Sequence, residues 1–322
     1  MRQYRRLLET TPDIQKFSIH GGGATSANDD NASPIDDEQV MELVTALSLY
    51  QGGEQSTIQE FSIDFFTFSE HGWNALRKVL CEELRFLKKL YLRQVFVKDE
   101  DGQVVPEYIP KDLLGVGYCL NLEELHLVNC HLNALAAQDL GRQMVLSNLK
   151  VLSLEGNSIG NVGVKCIAKA LEETTSTLQA LDIDRVGCSM DGMKALSESV
   201  AENATLQSLS CSGNGGLDIL PRRNSNSSNE DKPASQTEST LHDHPFEDLL
   251  HVNTSIQKLQ PTGITPKIDF YLKLNRAGRS LIGKNAIGKT LHLILERVNN
   301  DPDVMFFFLN AQSGTTMRSK WL

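Results

Sequence analysis

The sequence predicts an α/β solenoid in which short parallel strands alternate with helices. Residues 122–132 and 149–159 both follow the pattern LxxLxLxxN/CxL, and further units begin at Leu178 and Leu206. The four units begin 27, 29 and 28 residues apart, which leaves room for one helix in each. Leucines at alternate strand positions point to one face, and a single unit cannot bury that face by itself. The units are therefore expected to stack into a horseshoe, with strands on its concave side and helices on its convex side.

Weaker units precede these clear ones. The same one-four-six apolar spacing predicts strands at residues 14–19, 58–63 and 87–92. Phe66 and Val95 stand where the clear units have asparagine or cysteine. Turn and proline signals at residues 98–110 predict an extended excursion on the outer side of that repeat.

Two polar segments interrupt the predicted array. Residues 21–37 are rich in Gly and Asp, and residues 213–245 are rich in Ser, Asn, Asp and Pro. Both have few large apolar residues, so both are expected to be disordered. Beyond residue 264 the pattern changes, and residues 265–322 are predicted to form a helical C-terminal cap over the open end of the array. The predicted repeat solenoid therefore occupies residues 1–264.

Charge and cysteine usage restrict the classes of partner. The 322-residue chain has a formal net charge of -10, so nucleic-acid binding is not expected and a protein partner with a basic surface is favoured. The sequence has no run of about 18 apolar residues that could span a membrane, so no membrane contact is expected. The six cysteines form no CxxC pair, which favours reduced thiols in an intracellular, cytoplasmic protein.

The strand period also predicts a candidate binding surface. Adjacent strands stack about 4.8 Å apart, so Glu155, Asp182 and Asp184 are expected to form an acidic patch that can receive Lys or Arg. Tyr91 and His126 are expected to supply aromatic or hydrogen-bonding anchors. The alternative is that this face is polar only because it is solvated. Counted between the inward leucines, the exposed row is Ser18, Ser62, Tyr91, His126, Ser153, Asp182 and Ser210, and the next row adds Asp64, Arg93, Glu155 and Asp184.

A phosphate-binding motif is matched literally at residues 283–290, which read GxxxxGKT. The segment before it is polar and basic rather than a buried strand, and only about thirty residues follow, so a chance match is favoured over nucleotide binding. Separately, Arg222, Arg223 and Ser225 fit a basophilic kinase site, which is a hypothesis about regulation.

No metal or catalytic site is predicted. His126, Cys130 and His131 are close in sequence, but leucine spacing turns Cys130 toward the core, so the three side chains are expected to diverge. The sequence has no recognisable Ser-His-Asp set and no paired carboxylates in a closed cleft. The chain is therefore predicted to be non-enzymatic and to need no cofactor.

Residues 119–217 resemble a known family. From Gly163 the chain reads Gly-x-Lys-x-Ile-x-x-Ala-Leu, and from Asn203 it reads Asn-x-x-Leu-x-x-Leu. These motifs resemble the ribonuclease-inhibitor-type subfamily of leucine-rich repeat proteins, with a departure at residues 185–188, which are shifted from the asparagine position. The resemblance implies an interaction scaffold or adaptor that binds another protein through its concave face. The alternative, by fold analogy alone, is a GTPase-activating regulator of a small GTPase.

Overall fold

Eight strands form one parallel sheet in chain order. They belong to a computed structural model that describes residues 14–21, 37–50, 57–111, 113, 121–173, 176–215, 245–260, 265–280, 294, 296–298 and 301–312. Each strand pairs with the next one along the chain, which is the topology of a solenoid. The strands are β1 (Lys16–His20), β2 (Glu60–Ser69), β3 (Lys89–Lys98), β4 (Glu124–Val128), β5 (Val151–Ser153), β6 (Ala180–Asp182), β7 (Ser208–Ser210) and β8 (Lys258–Gln260).

Helices alternate with most of these strands, and neighbouring helices from α3 to α7 pack side by side. This arrangement confirms the predicted α/β solenoid. No helix among the described residues is both long enough and apolar enough to cross a membrane. The helices are α1 (Asp37–Tyr50), α2 (Glu70–Lys78, continued by a π turn at Val79–Glu83), α3 (Ala134–Met144), α4 (Gly160–Glu172), α5 (Met190–Val200), α6 (Pro245–Val252), α7 (Pro266–Ala277) and α8 (Pro302–Gln312).

A column of large apolar side chains runs through all eight strands at equivalent positions. Every member is buried, because the strand period turns it away from the concave surface. Burial of one such side chain stabilises the fold by about 1.5–3 kcal/mol. The register places them in the order Phe17, Phe61, Leu90, Leu125, Leu152, Leu181, Leu209 and Leu259.

Buried asparagines tie consecutive repeats together where the chain leaves the strand. The Oδ1 atom of Asn157 accepts hydrogen bonds from the backbone N–H groups of Cys130 (2.9 Å) and Leu132 (3.0 Å) in the preceding repeat. Its Nδ2 group donates to the carbonyl oxygens of Leu127 (2.6 Å) and Leu154 (2.7 Å). Asn214 makes the equivalent four bonds two repeats later. One side chain thereby satisfies backbone groups that the bend would otherwise leave buried without partners.

The residue before this asparagine position adopts a left-handed backbone conformation in six consecutive repeats. Such a residue bends the chain where the first regular stretch of the strand ends. Glycine tolerates the conformation without strain, whereas most other residues lose about 1–2 kcal/mol. The six residues are Phe65, Gln94, Asn129, Gly156, Arg185 and Gly213, with φ between 50° and 72°.

The strands β2 and β3 are longer than predicted. Each passes through its left-handed residue and pairs again, with Phe66 opposite Val95 and Ser69 opposite Lys98. The prediction ended them at residues 63 and 92 and was wrong on this point. Phe66 and Val95 replace a turn-forming asparagine with apolar side chains, which are 4% and 0% exposed, so burial favours continued pairing.

The predicted excursion after β3 folds back on the same strand. Lys98 and Val104 form an antiparallel bridge, and a 3-10 turn follows at Pro106–Tyr108. The indole Nε1 of Trp73 in α2 donates a hydrogen bond to the carbonyl oxygen of Tyr108 at 2.8 Å. The excursion is therefore attached to the helix of the preceding repeat.

The helix α7 covers the end of the last described repeat. The Nδ2 group of its buried Asn275 donates to the carbonyl oxygens of Asn253 (3.1 Å) and Ile256 (2.8 Å). Arg279 donates to the carbonyl oxygen of Leu250 at 2.8 Å and so caps the C-terminal end of α6. These contacts attach α7 to the array, and the domain boundary at residue 264 stays a prediction.

Several predicted segments lie outside the described residues. They include most of the segments at 21–37 and 213–245, the motif at 283–290 and Ser225. At the edges of the second segment, Gly213 and Asn214 belong to the turn of the β7 repeat, and the backbone N–H of Gly215 donates to the carbonyl oxygen of Cys188 at 2.7 Å.

Candidate functional site

The concave face carries a central row of polar side chains, with one residue from each strand. The strand register places each residue of the predicted row beside the next, and it adds Gln260 on β8. Sequence reasoning missed Gln260, although it follows the inward Leu259 directly, as Ser210 follows Leu209. Ser153 belongs to the row by position, but it is only 3% exposed and contributes almost no accessible surface.

Tyr91 and His126 form a stacked aromatic pair at the centre of this row. Their ring centroids lie 4.5 Å apart with planes inclined by 16°. The Tyr91 hydroxyl donates to Oε2 of Glu124 at 3.1 Å, and Nε2 of His126 lies 4.0 Å from the same oxygen. The strand pairing of β3 with β4 therefore builds a continuous aromatic surface from the two stacked rings.

Burial sets the protonation states of the aromatic pair. It raises the pKa of Tyr91, and Glu124 raises it further. It lowers the pKa of His126, although the charges of Glu124 and Asp182 oppose that shift. At neutral pH both rings are uncharged, so the pair can meet apolar or π-bonding groups without desolvating an ion.

Beside the aromatic pair, charges of alternating sign cross the first four strands. Lys16 lies 2.6 Å from Glu60, and Lys89 lies 3.7 Å from Glu60 and 2.9 Å from Glu124. Sequence reasoning did not single these residues out, although they lie two positions before the predicted row and follow the same period. Surface pairs of this kind stabilise the fold by about 0–1 kcal/mol each. The two positive and two negative charges of these four residues sum to zero.

The predicted acidic patch is only partly acidic. Glu155 forms an ion pair with Arg185, whose guanidinium lies against Oε1 of the carboxylate. The prediction that Glu155 stands ready for a partner's cation therefore overlooked a cation supplied by the chain itself. The signal was present, because Arg185 follows Asp184 directly and the register brings that bend beside Glu155.

Asp182 and Asp184 keep their charge uncompensated. Among the described residues, no basic side chain lies within 4 Å of either carboxylate. Oδ2 of Asp182 accepts from the Ser153 hydroxyl at 2.9 Å, and Oδ1 of Asp184 accepts from the Ser210 hydroxyl at 2.7 Å. These bonds fix the two carboxylates in orientation while leaving further acceptor positions on each.

Cys130 and His131, which follow His126 closely in the sequence, lie in different environments from it. Cys130 is fully buried, its thiol lies 3.4 Å from the carbonyl oxygen of Leu92, and burial raises its pKa to about 12. His131 packs edge-on against Phe96 with centroids 5.2 Å apart. Within the part of the chain that the structure describes, no three His, Cys, Asp or Glu side chains are grouped to hold a metal ion.

Stacked strand-turn-helix units with asparagines at the bend are the architecture of leucine-rich repeat proteins, and the chain has this solenoid fold. In length and motif its repeats are similar to those of the ribonuclease-inhibitor-like type. No family model matches the chain.

Comparison with known proteins supports this assignment. The chain is similar to NACHT, LRR and PYD domains-containing protein 5 of Bos taurus, with 35% identity over 130 residues, which are 40% of this chain and 11% of that protein. It is also similar to the ribonuclease inhibitor of Mus musculus, with 31% identity over 168 residues, 51% of this chain and 35% of that protein. The ribonuclease inhibitor of Sus scrofa is 26% identical over 159 residues, 49% of this chain and 33% of that protein. The chain thus spans well under two thirds of each relative.

Proposed function

We propose that the chain is a non-enzymatic scaffold or adaptor that binds another protein through the concave face of its repeats. The observation that carries the proposal is the aromatic pair Tyr91 and His126, which stands at the centre of the concave row with the uncompensated Asp182 farther along it. In this proposal the two rings anchor the partner by contact and hydrogen bonding, as buried aromatic residues do in many interfaces.

The carboxylates define the charge of the partner surface. Asp182 and Asp184 are held in place by hydroxyl groups of their own chain, so little ordering is needed when a Lys or Arg approaches. Glu155 contributes less than these two, because Arg185 already compensates it. A basic patch on the partner meets a negative surface here, in a chain whose net charge is -10.

The relatives are consistent with this use of the fold. A ribonuclease inhibitor is, by its name, a protein that acts on another protein, and two such proteins align with about half of this chain. The likeness supports protein binding in general, and the concave residues supply the specific surface in our proposal.

The proposal is tested by affinity purification with mass spectrometry. The wild type is compared with the folded triple variant Glu155→Lys, Asp182→Lys, Asp184→Lys. We expect a protein that co-purifies with the wild type to be lost with this variant, because the reversals replace attraction with repulsion.

A second triple variant controls for overall charge. Glu173→Lys, Glu198→Lys and Glu202→Lys change three exposed carboxylates at the C-terminal ends of α4 and α5, where a positive charge is favourable for the helix. The partner should be retained by this variant. Equal recovery with both triple variants, or equal loss with both, would contradict concave-face binding.

A further inference from the structure

A pocket lies on the concave face beside the aromatic pair. It has a volume of 260 Å³ and is lined by residues of β1, β2 and β3. Tyr91 forms one wall, and since His126 stacks on the side of β4, the opposite face of the tyrosine ring borders the pocket. Ser18 and Ser62, two small side chains, also line it.

The carboxylates that line this pocket already have partners in the chain. Glu60 lies 2.6 Å from Lys16 and 3.7 Å from Lys89. The carboxylate of Asp64 lies 3.2 Å from Nδ1 of His20. Glu60 is therefore compensated by two lysines, and Asp64 is already in contact with an imidazole that is a cation only when protonated.

Arg93 is the charged group of the pocket that lacks such a partner. It is exposed, and although Asp64 is its neighbour in the strand register, no carboxylate of the described residues lies within 4 Å of its guanidinium. The Ser62 hydroxyl donates to the Ser18 oxygen at 2.7 Å, which leaves the Ser18 hydroxyl hydrogen for another acceptor. The uncommitted donors of the pocket therefore fit an anion rather than a cation.

We propose that this pocket binds a carboxylate of the partner protein, with Arg93 pairing to it and Ser18 donating a hydrogen bond. The apolar part of the partner's acidic side chain lies against the face of the Tyr91 ring that His126 does not cover. The inference rests on the proposed function, and it adds an acidic group to a partner surface that is basic elsewhere.

The register fixes the distance between the two charges on the partner. Arg93 and Asp184 occupy equivalent positions three strands apart, and strands are spaced by about 4.8 Å, so the two side chains lie about 14 Å apart along the row. An extended polypeptide advances about 3.3 Å per residue. A linear segment that satisfies both sites therefore carries an acidic residue and a basic residue about four positions apart.

Selection from a random dodecapeptide display library on the full chain tests this inference. We expect the enriched peptides to carry Asp or Glu about four positions from Lys or Arg. For one such synthetic peptide, fluorescence anisotropy should report affinity weakened by about tenfold with Arg93→Glu, and binding should recover when the acid of the peptide is changed to Lys. Arg142→Glu, an exposed change on α3, is the matched control and should alter the affinity less than about twofold.

The outcomes separate this inference from the proposed function. Peptides that lose binding with Asp182→Lys and Asp184→Lys but are insensitive to Arg93→Glu would overturn the carboxylate site and leave concave-face binding intact. Peptides insensitive to both changes, or a library that yields no binder, would count against both. Enrichment of purely basic peptides would also overturn the assignment of Arg93.

Discussion

At the scale of single residues, His126 of the aromatic pair makes the free energy of unfolding depend on pH. Burial lowers the pKa of His126 from its ordinary value of 6.5 in a site that Glu124, Asp182 and Lys89 face. Below pH 6.5 the unfolded chain therefore takes up a proton more readily than the folded chain does. The contribution of His126 to stability is fully present above that pH and is lost as the pH falls toward the lowered pKa.

We therefore expect His126→Gln to flatten the pH dependence of the free energy of unfolding between pH 7.5 and 5.5. His131, whose pKa burial also lowers, retains part of the slope. Urea denaturation at several pH values measures the effect. His71→Gln, an exposed change on α2, is the matched control and should leave the slope as it is in the wild type. An equal slope for wild type and His126→Gln would contradict a neutral, half-buried imidazole.

At the scale of elements, a left-handed residue before the asparagine position bends the chain in six consecutive repeats. Gly156 (φ 72°) and Gly102 (φ 77°) have nearly the same backbone conformation, so alanine should strain both by about 1–2 kcal/mol. Their surroundings differ. A Cβ atom at residue 156 would lie 1.9 Å from Oδ1 of Asn129, whereas nothing lies within 4 Å at residue 102.

Gly156→Ala should therefore lower the free energy of unfolding more than Gly102→Ala does. Chemical denaturation of both variants gives the comparison, with the strain of the backbone common to the two. Equal losses would mean that the Asn129 side chain moves aside without cost. Backbone strain alone would then set the free-energy cost of alanine at residue 156.

The strand ends also mark where sequence reasoning failed. The leucine spacing correctly predicted the inward positions of β4 to β7, because period and burial agree there. In β2 and β3 the same template placed a turn at Phe66 and Val95. Nothing in a local pattern states that two apolar residues on adjacent strands will pair with each other, since that contact joins residues far apart in the chain.

At the scale of the whole molecule, the candidate site was predictable in position but not in charge. The period of two along each strand and the stacking of repeats place Tyr91 beside His126, and Ser153 beside Asp182. Whether a carboxylate is free depends on side chains from neighbouring bends. Arg185 compensates Glu155, while Asp182 and Asp184 have hydroxyl partners instead. The acidic surface is therefore smaller than the sequence implied.

The solenoid architecture predicts how mutations in its core combine. Leu90, Leu152 and Leu181 belong to one buried column, so each change to alanine should cost about 2–5 kcal/mol through lost burial and the cavity left behind. Leu152 and Leu181 are direct register neighbours, whereas Leu90 and Leu181 lie three strands, or about 14 Å, apart. Because each repeat contacts mainly its neighbours, the costs should add for the distant pair and depart from additivity for the adjacent pair.

Double-mutant cycles by urea denaturation measure both couplings. Leu146→Ala, a change at a 67% exposed residue, is the control and is expected to change stability by less than about 0.5 kcal/mol. A single-variant cost below about 1 kcal/mol would contradict the strand register, and equal coupling in both pairs would contradict nearest-neighbour stabilisation.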